Sequence, residues 1–496
     1  MKKTISLLLC FVMALLLMTS CGQSGGTQSG STAAPTSGND AASGTPEEIT
    51  ILYPGEESDR MTSFLNGEFA ERMLQDLNMK VNVIFVPWDQ YWDKKSIMLG
   101  SQEPIDLYWD GLVDLGQFVN KKEAQPLDEL IEQYGQDMLK VLPMEHIQGG
   151  VIDGKIYGIP SAYSPSSAMF QQVCLRQDLL EAVDMTEIST PEDLKEFATR
   201  AMDKFPNIKG AGDPILMPLT RYFSEQPAHN IGAGYLAFFN EETKEVFSYY
   251  ESETFQNVAK FNREMTLAGL YPDEMTTNYN ERDSRVQSGN YLWVEGSLGK
   301  ETEIVDAVRA NAPDAVMKNY LLAPEKPKYI TAAGGEVICI PYSAPNPAGT
   351  MKWLNWLYSS QENYLFAIYG VEGKDYEIVD GRINRLIGDE LFYEWMFRNK
   401  NYQLFSAEAD EEYIETYQAW DDGAIYSPIF GFAYKDENVK ELELNLKEIE
   451  KQFEAIRSGF VDFDSEYPKA VEALKAAGID EYIADLQRQV DEFMAS

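Results

Sequence analysis

The stretch Asp153–Asp178, DGKIYGIPSAYSPSSAMFQQVCLRQD, constrains the fold more than any other part of the chain. Asp153-Gly154, set between apolar Val151-Ile152 and Ile156-Tyr157, is a two-residue hairpin turn of the primed type. Pro160 and Pro165 bracket Ser161-Ala162-Tyr163-Ser164. A strand-like run from Ala168 to Leu175 follows and leads into a helix start at Arg176-Gln177-Asp178-Leu179-Leu180. A loop carrying an aromatic, then one strand into new α/β material, is how a chain leaves one lobe for another. Tyr163 then sits at a junction of the kind where small-molecule sites form. Taken alone, the stretch also reads as an ordinary loop between strands of one sheet.

With 496 residues the chain is too long for one core, so two or three domains are expected. The formal charge is −39, and −41 without Lys2 and Lys3, the only charges in the first twenty residues. That sign argues against nucleic acid as a partner, because phosphates need the opposite charge. Of the cysteines Cys10, Cys21, Cys174 and Cys339, the first two belong to the N-terminal apolar run and its end. At most one disulfide is therefore open to the mature fold. A bridge between the remaining pair is geometrically conceivable, but two free, buried small hydrophobes are expected, because Val173-Cys174-Leu175 and Ile338-Cys339-Ile340 both look like core strand.

Lys2-Lys3 followed by an apolar run from Ile5 to Leu17 is the pattern of a signal peptide over residues 1–20, too short for a confident membrane span. Thr19-Ser20-Cys21 after it resembles the lipobox of bacterial lipoproteins, with Met18 a mild departure. The resemblance implies that Cys21 is acylated and becomes the mature N-terminus, facing the extracellular side or a periplasm. Residues 21–46 are Gly, Ser, Thr, Gln and Ala with little apolar bulk, a flexible tether. No later stretch offers a membrane span.

From Glu48 strands alternate with helices: Ile49–Tyr53, a helix with Phe64, Phe69, Met73 and Leu77 on one face, then strand Lys80–Val86, helix Trp88–Leu99 and strand Ile105–Trp109. This is the α/β pattern of a parallel, doubly wound sheet, whose ligands gather beyond the carboxyl ends of the strands. Those ends carry Gly55 and Glu56, Trp88 with Tyr91 and Trp92, and Trp109-Asp110. For Trp88 and Trp92, at i and i+4, core packing of one helix is the alternative. In the second half, Thr190-Pro191-Glu192-Asp193 is a capped helix start. Trp293 and Glu295 share one face of a strand, and Gly334-Gly335-Glu336 opens an apolar strand taken as the crossing back. From Asp436, apolar residues at Val439, Leu442, Leu446, Ile449, Phe453 and Ile456 give a helical packing stripe.

The order of these parts resembles the extracellular solute-binding proteins of bacterial ABC importers, in the carbohydrate-associated group. It rests on the lipobox, the tether, DGKIYGIP, LRQDLLE, TPEDLKEF, IPYSAPNPAGTMKWLNWLY and GVEGKDYEIVDG. The tail from Ser427 is similar to a C-terminal domain of unknown function found in one subgroup. The resemblance implies a two-lobed, type II-like fold: lobe 1 over 47–167 and 335–385, lobe 2 over 168–334 and 386–435, and a helical region over 436–496 packed on lobe 2. It implies an oligosaccharide bound between the lobes, a permease partner and a monomer, with no cofactor, metal or catalytic residue. Carried onto this chain, the binding positions are Gly55, Glu56, Trp88, Trp109, Asp110, Tyr163, Trp293, Glu295, Gly335 and Glu336. Such residues suit a sugar, whose C–H faces stack on aromatics while carboxylates accept from its hydroxyls.

Two readings compete. A lipid-anchored glycoside hydrolase would use paired carboxylates roughly 5–10 Å apart, and an adhesion lipoprotein would need no deep cleft. His146 and His229 lack neighbours at metal-ligand spacing, and neither a P-loop nor a Gly-x-Ser-x-Gly elbow is present. The anchor is tested by Cys21→Ser. The variant should not take up labelled acyl chains; normal labelling and anchoring would contradict the lipoprotein reading.

Overall fold

The strand Glu336–Cys339 explains why this chain crosses between lobes. The computed structural model describes residues 44–495, apart from 162, 164, 165, 169, 274–278, 333, 334, 388–391, 408 and 437; Cys21 and the tether lie outside these residues up to position 43. In the first sheet, Glu47–Pro54 lies parallel between Met79–Val86 and Leu107–Gly111. Parallel neighbours need a crossover, supplied by the helices Asp59–Asn66 and Glu68–Leu77 and by Tyr91–Gly100. Ser58 caps the first of these, accepting from the Met61 N–H at 3.1 Å. Glu336–Cys339 then enters between Leu107–Gly111 and Gly158–Pro160, antiparallel to both, with Ile338 opposite Trp109 and Ile159. A central strand of the first lobe thus arrives only after the second lobe has been built.

The second lobe is centred on Gln172–Arg176, buried throughout and flanked antiparallel by Trp293–Gly296 and Met317–Leu321. The helix Pro191–Lys204 starts with a reciprocal box, the Thr190 side chain accepting from the Asp193 N–H and the Asp193 carboxylate from the Thr190 N–H. A second antiparallel sheet, Ala228–Asn230, Ala237–Asn240 and Val246–Ser248, completes it. The Asp153-Gly154 turn has φ values of 50° and 76°, and Asp380-Gly381 has 51° and 79°. Both values are positive in each pair, as a primed turn requires.

Two large cores result. The first gathers Ile51, Phe64, Trp109, Ile338 and Trp353, and reaches beyond residue 385 to include Phe392, Met396 and Phe397. Residues 392–397 therefore pack with the first lobe, where a boundary at 385 would place them in the second. The second core gathers Phe197, Phe239, Trp293 and Phe255 with Phe453, Leu474, Tyr482 and Val490 of the C-terminal helices Lys440–Arg457, Phe463–Ala476 and Ile479–Ala495. Phe453 stacks on Tyr250 at 4.3 Å, and Glu450 accepts from the Tyr235 N–H and the Tyr250 hydroxyl.

Between the cores the crossing segments are tied to one another. Asp421 accepts from the Ser166 and Ser167 N–H groups at 2.8 and 2.9 Å, and the Trp420 indole donates to the Ser167 carbonyl. Tyr329–Ile330 pairs in parallel with Ile425–Tyr426. Cys174 and Cys339 are both free and buried. They belong to different sheets, Cys174 opposite Val294 and Cys339 opposite Tyr108, so the crossings do not bring the two thiols side by side. Among the described residues no helix is long and apolar enough to cross a membrane.

Candidate ligand-binding site

Three strands of the first sheet end side by side and leave aromatics at those ends. Tyr53 closes Glu47–Pro54, Trp88 follows Met79–Val86, and Trp109 lies on Leu107–Gly111. Trp88 meets Trp109 edge-on at 5.8 Å and Trp92 at 5.8 Å. The short helix Glu394–Phe397 adds Tyr393 and Trp395, stacked on each other at 5.1 Å. Tyr393 also stacks on Tyr53 at 5.1 Å and on Trp88 at 6.1 Å, while Trp395 meets Trp109 at 5.2 Å and Trp88 at 5.9 Å. The result is a continuous aromatic wall. Its inner member, Trp109, is 8% exposed, Trp88, Tyr393 and Trp395 are partly exposed, and Trp92 is 50% exposed.

Gly55 makes the wall possible. Its φ is +124°, and a Cβ there would stand 2.3 Å from the Tyr393 hydroxyl oxygen. The Tyr53 hydroxyl accepts from the Tyr393 N–H at 2.7 Å, and the Tyr91 hydroxyl donates to the Trp109 carbonyl at 2.7 Å. Glu56, next to Gly55, is exposed.

Beside Trp109 lies a polar group. Burial pushes the Glu336 carboxyl up to about 8, against the Arg398 guanidinium and the Trp109 indole beside it and with Glu394 adding to the rise. Arg398 donates to Glu394 at 3.3 Å and lies 5.8 Å from the Tyr417 ring. Tyr417 packs with Leu298 of the second lobe. Tyr163 is joined to the same stretch: its N–H donates to the Arg398 carbonyl at 3.1 Å, and its carbonyl accepts from the Lys400 N–H. Its ring is 5.0 Å from His146 and 5.1 Å from the Lys400 ammonium. Burial lowers His146 to about 4, so that ring is neutral at pH 7.

The ten positions named from sequence divide accordingly. Gly55, Trp88 and Trp109 meet in the wall, with Glu336 and Tyr163 near its polar side. Asp110 points the other way along its strand and forms a buried ion pair with Lys95 of the helix Tyr91–Gly100. Gly335 packs under Leu112 and bonds it through the main chain at 3.0 Å. Trp293 has 0% exposure and packs near Phe197 in the second core, which is the packing role and not a ligand face. Glu295 accepts from the Leu216 and Met217 N–H groups at 2.7 and 2.9 Å, closing the start of the helix Met217–Phe223. Tyr393 and Trp395 escaped the sequence reading; the aromatic density of FYEWMF was the available signal. Among the described residues no group of three or more His, Cys, Asp or Glu could hold a metal ion.

A model of the bacterial extracellular solute-binding protein family matches residues 59–364. The chain belongs to that family. A domain of unknown function, DUF3502, matches residues 428–495, the segment that carries the C-terminal helices. A carbohydrate ABC transporter substrate-binding protein of Streptococcus pneumoniae serotype 4 is 24% identical over 467 residues, 92% of each chain. The N-glycan transport solute binding protein NgtS of Streptococcus pneumoniae is 21% identical with a TM-score of 0.74, over 91% of this chain and 99% of that one. An HMO-binding solute-binding protein of Bifidobacterium longum infantis is 14% identical with a TM-score of 0.61, over 90% and 99%. The fold is thus that of the two-lobed solute-binding proteins, and this member is a binding protein, not an enzyme.

The buried Glu336 carboxyl has a thermodynamic consequence. Below about pH 4.5 it is protonated folded or unfolded and contributes nothing to the pH dependence. Between about 4.5 and 8 the unfolded chain releases that proton while the folded one keeps it, so stability falls as pH rises. Glu336→Gln should therefore gain on the native protein by at least about 1 kcal/mol between pH 4.5 and 8, read from urea midpoints. A difference that does not change with pH would contradict this protonation state.

Proposed function

We propose that this chain is a lipid-anchored extracellular solute-binding protein that captures an oligosaccharide between its lobes and delivers it to an ABC import permease. The observation that carries the reading is the wall of Trp88, Tyr393 and Trp395, three rings with accessible surface mutually stacked or tilted at 5.1 to 6.1 Å. Aromatic rings suit the C–H faces of pyranose rings, and Trp92, 50% exposed beside Trp88, extends the aromatic surface open to solvent. Glu56, exposed beside Gly55, can accept from hydroxyls. The relatives point the same way. NgtS has been solved with Man1GlcNAc and with Man5GlcNAc, and a further similar fold, FusA of Streptococcus pneumoniae, with kestose. Acylation at Cys21 would hold the protein at the membrane through the tether of residues 21–46, and a monomer suffices for capture.

A hydrolase working on the same sugars would need one carboxyl as acid and a second as nucleophile or base on either side of the bond. In this chain the two carboxyls that lie near each other, Glu336 and Glu394, are both set against the Arg398 guanidinium. Mannose- and N-acetylglucosamine-containing oligosaccharides should bind in calorimetric titrations and be recovered intact. Trp88→Ala and Trp395→Ala should each weaken binding by about 1–3 kcal/mol with little change in ligand-free melting. Trp293→Ala should instead lower stability by ~3–5 kcal/mol. Failure of the native protein to bind any oligosaccharide, or cleavage of one, would overturn the proposal.

A further inference from the structure

The C-terminal helices pack in the second core, but the stretch that leads into them touches both cores. Residues 428–435 read PIFGFAYK, and the DUF3502 match starts at the same point. Their side chains divide by position. Ile429 and Tyr434 are buried in the second core, and Phe432 packs against it, edge-on to Phe493 at 5.7 Å. Phe430 and Ala433 pack against the first core instead. One short run of chain is thus shared between two clusters of core residues.

The first lobe receives this stretch on two glycines. A Cβ on Gly149, in the turn Gln148–Gly150, would stand 2.6 Å from the Phe430 ring. A Cβ on Gly116, in the helix Leu115–Asn120, would stand 2.8 Å from the Ala433 methyl and 2.9 Å from the Tyr434 carbonyl oxygen. Carbon contacts settle at roughly 3.5–4.0 Å, so neither point has room for a side chain. The missing methyls let the stretch seat directly on the main chain of the first lobe.

Its far end is fixed to the second lobe and reaches back to the first. Gln489 of the helix Ile479–Ala495 accepts from the Lys435 N–H at 2.9 Å and donates to the Lys435 carbonyl at 2.8 Å. The Lys435 ammonium donates to Asp153 of the first-lobe hairpin at 3.1 Å, an exposed pair that adds little strength. Glu443 and Lys447 of the helix Lys440–Arg457 lie within charge range of Asp114 in the first lobe. Burial raises the Asp114 carboxyl, against Lys95, Lys447 and Lys121 and with Glu443 adding to the rise. A stretch anchored to the C-terminal helices and seated on Gly116 and Gly149 cannot follow one lobe without leaving the other.

We infer that residues 428–435 form a brace between the lobes, through which the DUF3502 region confines the angle at which the lobes face each other. The two crossings carry the chain from lobe to lobe, whereas the brace ties together lobes that are already built. The inference concerns the ligand-free protein and stands or falls independently of the solute.

The test is pulsed electron paramagnetic resonance on the whole ligand-free protein. Spin labels go on Ile97→Cys in the first lobe and Leu267→Cys in the second, helical positions 67% and 71% exposed. A Cys21→Ser background leaves, beyond the signal peptide, only the buried thiols of Cys174 and Cys339. Gly116→Ala combined with Gly149→Ala pushes the brace off the first lobe, while alanine in place of Gly116 suits the helix itself. Phe430→Ala removes the largest side chain seated there. Each variant should broaden or shift the distribution of distances between the labels. Amide exchange should speed up over residues 428–435 and stay native over residues 440–495. A native distance distribution in both variants, whatever the exchange over residues 428–435, overturns the brace. Faster exchange throughout residues 440–495 would trace any broadening to loosened helices and overturn it equally. Should the double glycine variant fail to fold, Phe430→Ala decides the outcome alone.

Discussion

The late arrival of Glu336–Cys339 in the first sheet is the constraint on which the rest of the molecule depends. Its two neighbours, Leu107–Gly111 and Gly158–Pro160, are laid down before the second lobe and it is laid down after. The chain must therefore leave and return, and those passages bring Tyr163, Phe170, Tyr329 and Glu336 near the junction of the lobes. The outgoing passage is held by short polar contacts, Asp421 on Ser166 and Ser167 and the Trp420 indole on the Ser167 carbonyl. Among the described residues the two cores form separate clusters. Such an architecture favours motion between lobes over motion within either one.

The aromatic wall is assembled from remote parts of the sequence. Trp88, Trp109 and Tyr53 are placed by adjacent parallel strands, so the βαβ pattern fixes their spacing. Tyr393 and Trp395 come from more than 280 positions further along and are placed by the burial of Phe392 and Phe397 in the first core. The absence of a side chain at Gly55 lets Tyr393 close the stack. A larger residue there would separate the strand ends from the helix and open a gap in the middle of the wall.

The local chemistry of this fold could be read from sequence, and the long-range pairing could not. The Asp153-Gly154 turn and the Thr190-Asp193 cap depend on neighbours a few residues away. So does the alternation of strands and helices that put Trp88 and Trp109 at the strand ends. Strand periodicity separates two faces without saying which is covered; Asp110 lies on the face covered by the helix Tyr91–Gly100 and pairs there with Lys95. Trp293 and Glu295 were named for sharing a strand face, but that face turns to the second core and to the start of a helix. The boundary near residue 385 failed for a similar reason: nothing local in FYEWMF tells that Phe392 and Phe397 fill the first core.

The central claim is that solute is held at the aromatic wall of the first lobe and closes the lobes about their crossings. Amide hydrogen exchange of the whole protein, with and without a bound oligosaccharide, tests it most directly. Protection should appear over residues 88–92, 107–111 and 393–399 and along the crossing segments, with the C-terminal helices of residues 440–495 unchanged. Protection confined to those helices, or absent from the wall at saturating ligand, would contradict the account.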